Sequence, residues 1–215
     1  MLNGAPRSGK SSIVTAIQET FDGVWMNLGV DVFVREVTPP RHRPGIGLRP
    51  GDERPELRPL VRSMYVALYG SVAAHSREGL DVVVDVGHYD REVLAACAKV
   101  VAGLPVLFVG VTCRIEEIMR RRNAAQPGRE GQYAVGTADE PVPLPVRRWQ
   151  DGVAAVGPYD LEVDTSLLDP PACARVIGAR LRDGPPGTRF ADLARPETAV
   201  FRPLSPPKSD VTDPS

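Results

Sequence analysis

Lysine is almost missing from this chain. Basic residues number 26 in 215, yet lysine occurs only at Lys10, Lys99 and Lys208. Charge of either sign is in balance, with a formal net charge of -1. That excludes the polybasic surface expected of a nucleic-acid or membrane-surface binder and directs attention to a small partner. Cysteine is scarce too: Cys97, Cys113 and Cys173 are odd in number, have no CxxC spacing and sit in apolar segments. No disulfide framework or zinc site follows, and all three read as reduced core residues. No apolar run is long enough to span a bilayer, and the first residues lack a signal-peptide pattern. The expected location is the cytoplasm; the oligomeric state is not legible.

What is present is a rhythm. Short apolar runs alternate with helical patterns, as in βαβ units around a parallel sheet. Strands are expected at Val24 to Val30, Asp81 to Val86, Pro105 to Thr112 and Tyr159 to Asp164, with a short first strand in the opening residues. Helices are expected at Lys10 to Thr20, Leu57 to Glu78, Glu92 to Ala102, Ile115 to Asn123 and Pro171 to Leu181. The fold class is therefore α/β: a three-layer α/β/α domain on a five-stranded parallel sheet. Two long excursions, Thr38 to Glu56 and Gln126 to Pro145, are dense in Pro and Gly and read as loops of functional length. Residues 1–182 form the expected domain, and the Pro-rich stretch 183–215 a largely flexible tail.

One of the three lysines stands where a motif demands it. "GAPRSGKSS", covering Gly4, Ala5, Pro6, Arg7, Ser8, Gly9, Lys10, Ser11 and Ser12, fits the phosphate-binding pattern GxxxxGK[ST]. Backbone N–H groups of such a loop wrap a phosphate, the lysine reaches its oxygens and the first hydroxyl, Ser11, suits Mg²⁺. Only three residues precede the loop, so its strand is brief; an upstream start that completes it is one reading and a short strand the other.

Further along, Asp31 in "LGVDVF" falls at a strand's carboxyl end, where open parallel sheets bind ligands. It reads either as a base that takes a hydroxyl proton or as a helix cap. Asp85 ends "DVVVD", either an acid that orients Mg²⁺ or a turn-forming one. His88 lines an acceptor pocket or lies exposed in a loop. Arg120, Arg121, Arg122 and Arg129 stand at a helix end and in the loop after it, suited to closing over a transferred phosphoryl group or to the helix dipole.

"LNGAPRSGKSSI", "LGVDVF", "LDVVVDVG", "LPVLFVGVTC" and "YDLEVDTS", in this order, resemble the chloramphenicol phosphotransferase family of P-loop kinases. The resemblance runs from Leu2 to about Leu181 and leaves out the tail. It implies an ATP- and Mg²⁺-dependent phosphotransferase acting on a small-molecule alcohol, the primary hydroxyl of chloramphenicol. It also implies Asp31 as general base, Lys10 and Ser11 as phosphate and Mg²⁺ residues, and Arg122 and Arg129 as lid arginines. Three departures stand out: Val86 follows Asp85 where the family carries a second acid, Gln126 replaces a lid arginine, and the loop to Pro145 is longer than the family's. Other readings are a zeta-toxin-like kinase of a nucleotide sugar and a nucleotide-binding regulatory protein that docks through "FRPLSPP" in the tail.

Overall fold

The structure, a computed structural model, describes residues 1–39, 55–124 and 133–195. Its strands are β1 (Leu2–Asn3), β2 (Trp25–Asn27), β3 (Asp81–Val83), β4 (Asp85–Val86), β5 (Val109–Thr112) and β6 (Leu161–Asp164), and every pairing is parallel. Four of them form one sheet in the order β4-β1-β5-β6, and β2 pairs with β3. Only Val84 separates β3 from β4, and its carbonyl accepts the Leu2 amide at 2.8 Å. The single expected strand from Asp81 to Val86 thus serves both sheets, and the spatial order is β2, β3–β4, β1, β5, β6. This is the parallel α/β architecture read from the sequence.

The helices are α1 (Lys10–Thr20), α2 (Val30–Val32, running into a π-helical turn Phe33–Val37), α3 (Arg58–Arg77), α4 (Arg91–Val100), α5 (Ile115–Asn123), α6 (Leu144–Ala155), α7 (Pro170–Asp183) and α8 (Arg189–Asp192). On one face of the sheet, Ile13, Val14 and Ile17 of α1 pack with Cys173, Ala174 and Ile177 of α7 against Leu2, Val109 and Val163. Their i, i+3, i+4 spacing sets one apolar stripe on each helix. The other face carries α3 and α4, with Leu68, Tyr69, Leu94 and Cys97 against Phe108. Burying each such Val, Leu, Ile or Phe side chain is worth about 1.5–3 kcal/mol, so packing on both faces holds the helices to the sheet.

Beyond Asp183 the chain turns back onto this second face. Asp160 accepts the Thr188 and Arg189 amides at 2.9 and 3.1 Å, and Phe190 is buried against Tyr69 and Phe108. Three helices were not foreseen. Helix α8 lies at the start of the stretch expected to be a flexible tail, the expected loop to Pro145 ends in α6, and the expected strand to Val30 stops at Asn27 so that α2 can begin. The three cysteines are free and buried. Among the described residues no helix is long and apolar enough to cross a membrane.

Candidate active site

The loop from Gly4 to Gly9 joins β1 to α1 at the carboxyl end of the sheet. Two of its residues take the left-handed conformation, Arg7 at φ 74° and Gly9 at φ 99°, which curls successive amides toward one point. Glycine has a different reason at Gly4: a Cβ there would lie 2.5 Å from the Val111 carbonyl and 2.7 Å from Ser8 Oγ. Packing against β5, rather than approach to a ligand, is what requires glycine at that position. Gly4, Ala5 and Ser8 are buried beneath the loop, while Pro6, Arg7, Gly9, Lys10, Ser11 and Ser12 face a cleft of about 990 Å³.

Helix α1 has Gly9 at its N-cap and no side-chain cap, so the first-turn amides of Lys10, Ser11 and Ser12 have no acceptor within the helix. An anion fits there. Lys10 folds back over the loop and donates from Nζ to the carbonyls of Gly4 and Ala5, at 2.8 and 3.0 Å. Burial lowers its pKa, and the carboxylates of Asp85 and Asp31 act in the opposite direction. Ser11 Oγ donates to Asp85 Oδ2 at 2.9 Å. Asp85 is only 7% exposed, and burial raises its pKa against the lowering pull of Lys10 and Ser11. A serine hydroxyl and a carboxylate in contact are hard oxygen donors of the kind Mg²⁺ takes.

Asp31 lies exposed on the cleft, in the first turn of α2. Gly29 occupies the N-cap position, so Asp31 is not the helix cap. Among the described residues Asp31 makes no hydrogen bond or ion pair. Among the described residues the α2 and α3 side of the cleft is otherwise apolar and aromatic, lined by Val30, Phe33, Val61, Met64 and Tyr65. Trp149 of α6 closes it, donating from Nε1 to the Gly87 carbonyl at 2.9 Å and meeting the Tyr89 ring edge-on at 5.6 Å.

The arginines divide. Arg120 points outward to Glu117. Arg121 faces the cleft, donating to the carbonyls of Arg7 and Thr165 at 3.2 and 3.0 Å. Arg122 is buried, with its guanidinium 5.4 Å from the Tyr133 ring centroid and that of Arg7 5.3 Å from the same ring. Arg129 and Gln126 lie outside the described residues. The structure thus brings Lys10, Ser11, Asp31, Asp85, Arg121, Arg122 and Thr165 to one cleft, and adds Tyr133 and Trp149.

His88 is neither exposed nor on the cleft. It is 3% exposed, and Asn3 clamps its backbone, accepting its amide at 2.7 Å and donating to its carbonyl at 3.1 Å.

Comparison with known proteins agrees with this geometry. Two Mycobacterium tuberculosis proteins, from strains CDC 1551 and H37Rv and bearing the provisional name O-phosphotransferase, are 27% identical over 82% of this chain and 79% of theirs. Among solved structures, an unliganded sugar kinase from Janibacter sp. HTCC2649 superposes with a TM-score of 0.55 at 15% identity, over 90% of this chain and 96% of its own. Shikimate kinase from Acinetobacter baumannii, in complex with shikimate, does so at 0.50 and 14%, over 84% and 90%. The two superpositions show that this chain shares the fold of these solved structures. The family model for chloramphenicol phosphotransferase-like proteins matches residues 1–182. The chain therefore belongs to the chloramphenicol phosphotransferase-like family, and is a kinase-type phosphotransferase of small molecules.

Proposed function

We propose that this enzyme moves the terminal phosphoryl group of ATP to a hydroxyl of a small, uncharged acceptor, with the primary hydroxyl of chloramphenicol as the leading candidate. The observation that carries the reading is a carboxylate, Asp31, unpaired among the described residues and facing the same cleft as Lys10, Ser11 and Asp85. The first-turn amides of α1 and Lys10 would hold the phosphate chain. Ser11 and Asp85 would hold Mg²⁺, which when bound neutralises charge on the phosphoryl oxygens. Asp31 accepts the acceptor's hydroxyl proton as that oxygen bonds to the γ-phosphorus; the bond from phosphorus to the bridging oxygen breaks, and ADP leaves. Arg121 and Arg122 balance charge around the group in flight.

The acceptor class follows from the wall chemistry. Among the described residues the α2–α3 side of the cleft offers apolar and aromatic side chains with no arginine or lysine. The apolar or aromatic part of such an acceptor packs against that wall. The kinase domain is proposed to be residues 1–182, and three buried free thiols suit a reducing cytoplasm.

Mass spectrometry after incubation with ATP and Mg²⁺ tests the acceptor directly, using chloramphenicol, shikimate, a neutral sugar and a nucleotide sugar. A single added phosphate on chloramphenicol is expected. Phosphorylation of the nucleotide sugar alone would move the reading to a zeta-toxin-like kinase.

A further inference from the structure

Gly29 lies buried between the end of β2 and Asp31, and its backbone gives no reason for glycine. Its φ of -62° and ψ of 154° are open to any residue. The reason is space. A Cβ at Gly29 would stand 1.8 Å from Asp85 Oδ1 and 3.0 Å from Asp85 Cγ. Neither partner has an easy retreat. The backbone around Gly29 is held by three hydrogen bonds: its amide to Asn27 Oδ1 at 3.0 Å, its carbonyl from the Phe33 amide at 3.1 Å, and the Leu28 amide to Val83 O at 3.0 Å. Asp85 sits on β4 in register with Leu2, and its side chain is enclosed. Only the carboxylate can swing, and swinging breaks its contact with Ser11, made through the other oxygen.

We propose that Gly29 is a positioning residue: the side chain it lacks is the space in which the Asp85 carboxylate lies, and this fixes Asp85 against Ser11. The inference rests on the proposed role of Asp85 at the phosphate site. It ties the turn into α2, the helix that carries Asp31, to the pair that would hold Mg²⁺, so the two halves of the cleft are set by one close contact.

The test is a double-mutant cycle of Gly29→Ala and Asp85→Ala, which isolates the coupling of the two positions. Three quantities are read: kcat against Mg²⁺ concentration, nucleotide affinity without metal, and Tm. Gly29→Ala alone is expected to lower kcat about 10- to 100-fold and raise the half-saturating Mg²⁺ concentration, as loss of a group that orients a metal-site residue does. Metal-free nucleotide affinity should stay within about twofold, because the loop amides and Lys10 are untouched. In the Asp85→Ala background, where the obstructing carboxylate is gone, Gly29→Ala should change neither kcat nor Tm. Wild-type kcat in Gly29→Ala, or an equal loss in both backgrounds, would overturn the proposal.

If Gly29→Ala does not fold, the double variant should; a double variant equally unfolded counts against the idea. Should Asp85→Ala itself keep wild-type kcat, the role given to Asp85 fails. The Tm comparison then still decides whether the two positions collide.

Discussion

His88 makes stability depend on pH in a calculable way. Its ring is tilted at 45° against Tyr65 with centroids 4.4 Å apart, its Nε2 is 3.1 Å from the Tyr69 hydroxyl, and burial pulls its pKa down to about 3. In the unfolded chain the same ring titrates near about 6.5. The folded pKa is the lower one, so the unfolded state binds the proton more readily. The stability His88 contributes in neutral form is complete above about pH 6.5 and declines as the pH falls toward 3. Each unit in that window is worth about 1.4 kcal/mol, which gives a loss of about 2 kcal/mol between pH 8 and pH 5.

Urea unfolding at pH 8, 7, 6 and 5 measures it, with His88→Asn as the reference that cannot titrate. Carboxylates contribute alike to both proteins and cancel in the difference. The wild type is expected to lose about 2 kcal/mol more than the variant over this range. Parallel curves, or a His88 resonance titrating near pH 6.5 in the folded protein, would refute the reasoning.

Other consequences are as direct. Lys10→Ala should abolish phosphoryl transfer while the protein stays folded by circular dichroism, since among the described residues Nζ bonds only the loop's own carbonyls. Asn3→Ala leaves both backbone groups of His88 and the Tyr159 hydroxyl without the amide that meets them. At about 1–3 kcal/mol for each buried group left unpaired, a loss of at least about 2 kcal/mol in urea unfolding is expected. Phe190→Ala should cost about 3–5 kcal/mol by the same assay, because the ring is 1% exposed between Tyr69 and Phe108; a cost under about 1 kcal/mol would contradict the docking of α8.

Local patterns were readable where they did not depend on distant partners. Helices α1 and α5 begin and end where the sequence indicates, because Gly9 starts one abruptly and the acidic first turn and basic last turn frame the other. Helix α6 was hidden by Pro143 and Pro145, which read as loop residues although proline is well tolerated in a first turn. Its buried Val146 and Val153, with Trp149 between them, were the available signal. Helix α2 was hidden by β-branched residues, which suit a strand until tertiary contacts with α3 and the cleft decide otherwise.

The site shows the same division. Lys10, Ser11, Asp31 and Asp85 announce themselves by type and position. Sequence left Asp31 between base and cap; Gly29 standing at the N-cap removes the cap reading, and the base role is the one proposed above. His88 was placed on the cleft or in solvent, and it is in neither, because the Asn3 clamp lies 85 positions away in sequence. Arg121 is set apart from Arg120 only by which neighbour its helix face meets, Thr165 rather than solvent. The glycine at position 29 carries no motif at all; its meaning is a distance to another side chain.

The most direct test of the proposed chemistry compares wild type with Asp31→Asn. Product mass with ATP, Mg²⁺ and chloramphenicol is recorded beside nucleotide affinity. Removal of a positioned base costs about 10²- to 10⁴-fold in rate, so the variant should bind nucleotide as the wild type does and form phosphorylated product at least about 100 times more slowly. Equal turnover by the two proteins would contradict the role given to Asp31. Nucleotide binding by both without phosphorylated chloramphenicol from either would place the acceptor elsewhere among small-molecule alcohols.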